Sequence, residues 1–385
     1  MNNKEIRKQF PIADKITYFD SAALVLKPQI AIDAVTDFYT NKSISSRTAD
    51  TPLGSEIAQV VANVRTKVGN LIDATDEEII FTSGTTESLN VLALMSENIL
   101  NEGDEILLCT HNHSSNIVPW IEIAKRKNAT VVYSENPIEN LNSKTKILSI
   151  SQETNNFNVT FDVHELFQAA KQFEDLMIVS DAAQAIIHEK VSLKEVDAIA
   201  FSTNKFYGPT GLGILAVKKA WLKKMKPAKY GGGSITEITC NSSWGLRDTI
   251  AAFEPGTPNL AGIFMFDKSI DFFNQIGYAK TNEILKDLSH YLHSKLAELD
   301  NVDVYSNPGD NIAIINVKGI HPQDVATYLG KHNIYTRAGI FCALYLVNIL
   351  KESAYLRISL GIYNTYEDID YLIEVLKNGG DFYAF

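Results

Sequence analysis

Three short stretches of this chain hold residues whose types and spacing could do chemistry. In Phe201-Ser202-Thr203-Asn204-Lys205-Phe206-Tyr207-Gly208-Pro209-Thr210-Gly211, a lysine follows an apolar run and precedes a Gly/Pro-rich turn. Most lysines are solvated. Flanked by Phe206, Tyr207 and Pro209, this one is partly desolvated, which lowers the pKa of an amine and makes it usable as a nucleophile. In Ile178-Val179-Ser180-Asp181-Ala182-Ala183-Gln184, a carboxylate stands just past an apolar strand; an acid there either caps a helix or pairs with a cation. In Phe81-Thr82-Ser83-Gly84-Thr85-Thr86-Glu87-Ser88, a glycine and several hydroxyls join a strand to a helix. The unpaired N–H groups and positive dipole end of a first helical turn suit an anion, and glycine lets the backbone approach it, although an ordinary N-cap uses the same residue types. The segment fits neither the Walker nor the dinucleotide glycine pattern.

Lysine as a Schiff base, with an acid facing the protonated pyridine nitrogen, is what pyridoxal 5'-phosphate demands of a protein. The elements needed to position such groups are legible. Short apolar runs at 78–82, 105–109, 129–133, 146–150, 176–180, 198–201 and 213–217 read as strands buried on both faces. Helical patterns lie between them, at 86–100, 118–127 and 163–173, so the core is an α/β sheet of βαβ units, which binds ligands at the carboxyl ends of its strands. Irregular sequence around Gly231-Gly232-Gly233 and Pro255-Gly256-Thr257-Pro258 precedes a long helical stretch at 260–299. The expected domains are therefore 1–254, an N-terminal segment with a large cofactor-binding α/β domain, and 255–385, a small α+β domain. The latter has strands at 313–317 and 356–360 and an amphipathic helix at 367–376.

A length of 385 residues favours such a pair of domains over one core. The net charge of -11, with no basic run interleaved with aromatics, argues against nucleic acid as a partner. No apolar stretch is long enough for a bilayer, and the first ten residues lack a secretory core, so a cytoplasmic enzyme is expected. Cys109, Cys240 and Cys342 are too far apart in sequence for a CxxC pair or a zinc knuckle. His111 and His113 have no Cys, Asp or Glu partner motif, so no metal is expected. Cys109 reads as strand core and Cys240 as structural.

Seven segments, in order, resemble one family: Tyr18-Phe19-Asp20-Ser21-Ala22-Ala23, Gly84-Thr85-Thr86-Glu87, Asn116-Ile117-Val118-Pro119-Trp120, Asp181-Ala182-Ala183-Gln184-Ala185, Lys205 to Gly211, Phe253-Glu254-Pro255-Gly256-Thr257-Pro258-Asn259 and Tyr363-Asn364-Thr365. The chain is similar to class V aminotransferase-fold enzymes of the SufS-type cysteine desulfurase and selenocysteine lyase group. The resemblance implies pyridoxal 5'-phosphate as cofactor and the fold type I architecture of its transferases, a mostly parallel seven-stranded sheet with a smaller C-terminal domain. It implies Lys205 as the cofactor-bearing lysine, Asp181 at the pyridine nitrogen and Gln184 at the phenolic oxygen. His113 would stack on the ring and assist proton transfer. Thr85, Thr86 and Ser202 would hold the phosphate, with Asn204 able to donate to it and Thr257 contributed by the second subunit of a homodimer. Asn155 would lie beside cofactor and substrate, and Arg357 would receive the substrate carboxylate, for which a guanidinium fork is well shaped.

Cys342 falls where the desulfurases keep their persulfide-forming cysteine. The implied reaction converts L-cysteine to L-alanine with a persulfide on Cys342, for iron-sulfur cluster assembly or related sulfur traffic through an acceptor scaffold protein. The chain departs from the family at Ile340-Phe341, where two histidines are usual, at Asn204, where a histidine is usual, across Thr154-Asn155-Asn156-Phe157-Asn158, and near Arg47, where histidines are missing. These departures keep open another class V reaction on an amino acid, by an aminotransferase, epimerase or β-eliminating lyase, with Cys342 a bystander.

Overall fold

The computed structural model of the chain describes residues 3–45 and 48–377; Arg47 and residues 378–385 of the expected small domain lie outside them. The apolar runs form strands β1 (Ile79–Thr82), β2 (Glu105–Cys109), β3 (Thr130–Ser134), β4 (Thr145–Ser151), β5 (Met177–Asp181), β6 (Ala198–Ser202) and β7 (Gly213–Val217). They make one seven-stranded sheet in the order β1-β7-β6-β5-β4-β2-β3. All neighbours from β6 to β3 pair in parallel, and only β7 runs against both of its neighbours. Every residue of β5 and β7 is buried, which is why their sequences are apolar runs instead of alternating patterns.

Helix α1 (Pro52–Ile72) precedes the sheet, and the longer helices between its strands are α2 (Thr85–Met95), α3 (Val118–Lys127) and α4 (Val163–Ala170). Their ends follow local chemistry. Pro119 stands in the first turn of α3, whose missing N–H costs nothing there, and Asn128 closes that helix at φ 52°. The Asp162 side chain caps α4 by accepting from the N–H groups of His164 and Glu165.

The chain divides into two compact units. The larger is Ala31–Glu153 with Val159–Ile270; the smaller combines the chain up to Ile30, Thr154–Asn158 and the chain from Asp271 onward. The sequence had suggested a boundary at 254/255. In the structure the N-terminal segment groups with the C-terminal part, and the division falls within helix α5 (Leu260–Leu296). The larger unit also carries a hairpin that the turn-rich sequence did not announce, β8 (Ile235–Ile238) paired with β9 (Trp244–Leu246).

The smaller unit is built on β10 (Val302–Val304), β11 (Ile312–Val317), β12 (Arg337–Gly339) and β13 (Tyr355–Ser359), an antiparallel sheet in the order β10-β11-β13-β12. Helices α6 (Pro322–Lys331) and α7 (Tyr366–Lys377) belong to the same unit. A parallel bridge between Asp20 and Ser359, with the Ser359 N–H donating to the Phe19 carbonyl at 2.7 Å, lays the N-terminal segment along β13. Among the described residues, no helix is long and apolar enough to cross a membrane.

Helix α5 is two helical segments meeting at Gly277, whose φ of 73° and ψ of 168° lie in a region that side chains with a Cβ avoid. An added Cβ would meet nothing within 4 Å, so backbone strain alone sets the cost of a substitution. Gly277→Ala should destabilise the protein by about 1–3 kcal/mol, read as a lower melting temperature. An unchanged melting temperature would show that the two segments join without this backbone break.

Candidate active site

In the larger unit, strand ends and helix starts bring the predicted cofactor residues to the carboxyl edge of the sheet. Gly84 leads from β1 into α2, and β7 begins at Gly213 directly against it: a Cβ on Gly213 would fall 2.5 Å from the Gly84 Cα. A side chain at Gly213 would forbid this approach, and it sets the first turn of α2 beside the end of β6. There the Thr85 N–H donates to the Ser202 Oγ at 2.7 Å, and the Thr85 and Ser202 hydroxyls pair at 2.8 Å. Thr86 Oγ1 meets Ser115 Oγ at 2.8 Å. Hydroxyls from three segments thus converge at a helix N-terminus, which is the chemistry a phosphate requires.

Asp181 is the last residue of β5, one position earlier than the sequence suggested, and is 4% exposed. Its Oδ1 accepts the Ala183 N–H at 3.1 Å, whereas its Oδ2 has, among the described residues, only the Ser151 hydroxyl at 3.5 Å. Burial pushes this carboxyl above its ordinary range, and the positive charge of Lys205 partly opposes that. A carboxylate so buried and so weakly bonded needs a cation at its open oxygen, and a protonated pyridine nitrogen is one. The acid and the hydroxyl cradle therefore both fit pyridoxal phosphate.

Lys205 ends a short 3-10 turn, Thr203–Lys205, directly after β6, with Asn204 beside it. The turn is held by Thr203, whose carbonyl accepts the N–H groups of Phe206 and Gly208 at 2.8 Å and whose hydroxyl donates to the carbonyls of Pro209 and Leu212. Phe206 and Tyr207 are buried as the sequence suggested. Gln184 is buried just ahead of the helical turn Ala185–His188. Thr257 is exposed on the loop before α5.

His113 follows β2 and caps the turn Ser114–Asn116, its Nδ1 accepting the Ser115 N–H at 3.1 Å. That bond leaves the proton of a neutral ring on Nε2. His111 is different: its Nδ1 lies 3.1 Å from the Thr110 hydroxyl, and burial holds it below the usual histidine range. Among the described residues, no cluster of three or more His, Cys, Asp or Glu side chains could hold a metal ion.

The smaller unit assembles the other predicted group. Arg357, in β13, is 2% exposed; its Nη2 donates to Asp20 Oδ1 at 2.7 Å and its Nη1 to the Asn155 carbonyl at 2.8 Å. Its Nε has no partner, and burial lowers its pKa while Asp20 opposes the shift. The Asn155 side chain donates to the Phe341 carbonyl at 2.7 Å, so it grips the chain just before Cys342. Phe341 and Cys342 have φ of 56° and 59°, and the Ala343 N–H bonds the Ile340 carbonyl at 3.0 Å. Positive φ at both central positions of such a turn is the type I′ pattern. Phe341 and Ala343 are buried while Cys342 is exposed at the apex. Cys109 is strand core, its thiol pushed up to about 11 by burial. Cys240, expected to be structural, is instead exposed in the turn of the β8–β9 hairpin.

Sequence reasoning missed several positioning residues. Asp20 was visible only as part of a motif, yet it joins Arg357 to Arg337, whose Nε lies 3.4 Å from Asp20 Oδ2. Asn112, Ser149 and Ser151 support the histidine loop; an asparagine three residues past a strand, between two histidines, was the available signal.

A family described as Aminotransferase class-V matches residues 17–372 of the chain. The chain is 35% identical to a probable cysteine desulfurase of Halalkalibacterium halodurans, over 100% of this chain and 99% of that one. It is 33% identical to another from Ureaplasma parvum, over 94% and 93%. Among solved structures it is similar to the cysteine desulfurase CsdA of Escherichia coli, with 28% identity, a TM-score of 0.90 and 98% of each chain covered. It is also similar to the apo cysteine desulfurase of Thermococcus onnurineus, with 28% identity, a TM-score of 0.91 and 97% of each chain covered.

The raised Asp181 pKa has a definite sign for the cofactor-free protein. The folded carboxyl keeps its proton to higher pH than an unfolded one, so stability is full below the ordinary value of 3.8 and is lost as pH rises through the window above it. Asp181→Asn, which cannot ionise, should therefore raise the melting temperature of cofactor-free protein at neutral pH, with the gain shrinking toward pH ~4. A lower melting temperature of the variant at neutral pH would contradict the assignment.

Proposed function

This chain belongs to the cysteine desulfurases of the class-V aminotransferase family, enzymes that depend on pyridoxal phosphate, and from that premise we propose how its own residues carry the reaction. The observation that supports the reading best is a single hydrogen-bonded assembly. Asn155 receives Arg357 on its carbonyl and holds the Phe341 carbonyl with its side chain, so one residue links the candidate carboxylate site to the turn that presents Cys342.

Arg357 receives the carboxylate of L-cysteine. It is oriented for this by Asp20 and the Asn155 carbonyl, and its unpartnered Nε remains for an incoming acceptor. Thr85, Thr86, Ser202 and Asn204 would hold the cofactor's phosphate, Asp181 its pyridine nitrogen, Gln184 its phenolic oxygen, and Lys205 would bear it. When bound, the cofactor supplies an electron sink for the pair left when the substrate's α-proton departs. Once the substrate's amine has taken its place on the cofactor, the released Lys205 amine would take that proton, and the His113 Nε2–H would be available as a donor on the way to alanine. The Cys342 thiolate attacks the substrate sulfur, an S–S bond forming as the substrate's Cβ–S bond breaks. The persulfide sulfur then passes to an acceptor thiol.

Finer points of the reading rest on the surface. An exposed Thr257 suits a residue offered to a second copy of the chain, and the β8–β9 hairpin exposes Ile238 and Trp244, with Tyr230 packed edge-on against Trp244, as a homodimer contact would. Leu344 and Val347, 63% and 55% exposed just beyond Cys342, suit docking of a sulfur-acceptor protein. Iron-sulfur cluster assembly in the cytoplasm is the destination we assign to the sulfur.

The deciding experiment compares wild type with Cys342→Ala, both showing the yellow cofactor band, for alanine and sulfide released from L-cysteine with a reductant present. Both products should appear in wild type and vanish in the variant. Alanine release that survives in Cys342→Ala would mark a different class V reaction with Cys342 a bystander.

A further inference from the structure

Strand β2 ends at Cys109, and its ladder to β4 closes with Leu108 opposite Ser149, while β4 continues to Ser151. The missing strand is replaced by a side chain. Asn112 is fully buried; its Nδ2 donates to the Ser149 carbonyl at 2.8 Å and its Oδ1 accepts the Ser151 N–H at 2.9 Å. Those are the two groups that a residue of a parallel neighbour would bond when it lies opposite Ile150, so the Asn112 amide stands in for a peptide group.

A second clamp lies four residues on. Asn116 Oδ1 accepts from Trp120 Nε1 at 2.9 Å and from Ser149 Oγ at 2.5 Å, and the Asn116 carbonyl accepts Asn112 Nδ2 at 3.3 Å. Between the clamps, the Asn116 N–H donates to the His113 carbonyl at 2.7 Å and the Ser115 N–H to the His113 ring. The stretch of β4 that Asn112 grips also carries Ser151, whose hydroxyl faces Asp181 Oδ2 at 3.5 Å.

We propose that Asn112 is a positioning residue for His113: by pairing with the end of β4 as a strand would, it fixes the height of the imidazole relative to the Asp181 carboxyl. The proposal rests on the reading of His113 as the histidine beside the cofactor. It departs from that reading in assigning the accuracy of the ring's placement to a buried amide that touches neither substrate nor cofactor.

Two measurements test it. The first is a double-mutant cycle in the holoenzyme. Asn112→Asp turns the donor facing the Ser149 carbonyl into a second acceptor, and displacing a catalytic group by an ångström costs about a hundredfold, so kcat/KM for L-cysteine should fall by about that factor. His113→Ala should cost at least as much, and the double variant should be as slow as His113→Ala alone. Losses that multiply would overturn the proposal. The second needs neither cofactor nor turnover. In cofactor-free Asn112→Ala, hydrogen exchange at the Ser115 N–H should quicken about tenfold or more over wild type, because its bond to the His113 ring is no longer held. Unchanged exchange there would equally overturn it, and this result decides the matter if Asn112→Asp fails to fold or to load. Wild-type enzyme inactive on L-cysteine would sink the desulfurase reading, while the exchange comparison would still decide for Asn112.

Discussion

A carboxylate buried at the end of the middle strand is the constraint on which the larger unit depends. Taking an acid out of water is costly unless a cation meets it, and Asp181 is buried with one oxygen almost unbonded. The strand order explains why the acid stands on β5. Its neighbours on both sides are parallel, so their carboxyl ends finish beside it: β4 brings Ser151, and β6 runs into the turn that carries Lys205. An acid on an edge strand would have had one such neighbour. The antiparallel β7 starts at this same edge, and its Gly213 admits the Gly84 turn and with it the hydroxyl cradle.

The smaller unit is organised around a different cost. A left-handed backbone conformation costs a residue with a Cβ about 1–2 kcal/mol, and the turn takes it twice, at Phe341 and Cys342. Packing offsets the strain: Phe341 is buried with Ala22, Ile312, Ile314 and Tyr355, Ile340 packs against the same cluster, and Asn155 bonds the Phe341 carbonyl. Of the two positions where the resemblance leads one to expect histidines, Phe341 is thus hydrophobic core in this chain and Ile340 packs against it. The Phe341 ring also lies under the Arg357 guanidinium, 5.0 Å from ring centroid to charge, an attraction imidazoles would supply differently. The departure exchanges two titratable groups for anchorage of the turn.

Most of the fold was legible because its signals are local. All seven runs became strands of the sheet, with ends shifted by a residue or so, since buried parallel strands are continuous apolar sequence. What the sequence hid was long-range. Nothing local shows that Phe19 to Ala22 lies along β13 or that the N-terminal segment groups with the C-terminal part. The β8–β9 hairpin was hidden because most of its residues are exposed, leaving no burial pattern to read. At the site, the side chains proposed to meet ligands were suggested by motif. Those that position other residues, such as Asp20 and Asn112, belong to ordinary polar types whose partners are far away in sequence.

The three cysteines show why exposure and anchorage must coincide in a sulfur carrier. A carrier thiol has to be reached twice, once by the substrate's sulfur and once by the acceptor's thiol, and it has to return to the same place between visits. Cys109 is anchored but buried, and burial pushes its thiol to about 11, so it is neither accessible nor ionised. Cys240 is accessible, but it sits in the turn of a two-stranded hairpin whose residues are largely exposed, with no core beneath it. Cys342 alone combines the two properties, because the strained turn buries the residues on either side and leaves the sulfur outside. The strain that fixes the thiol is therefore also what keeps it exposed, the combination that the proposed role of sulfur carrier requires.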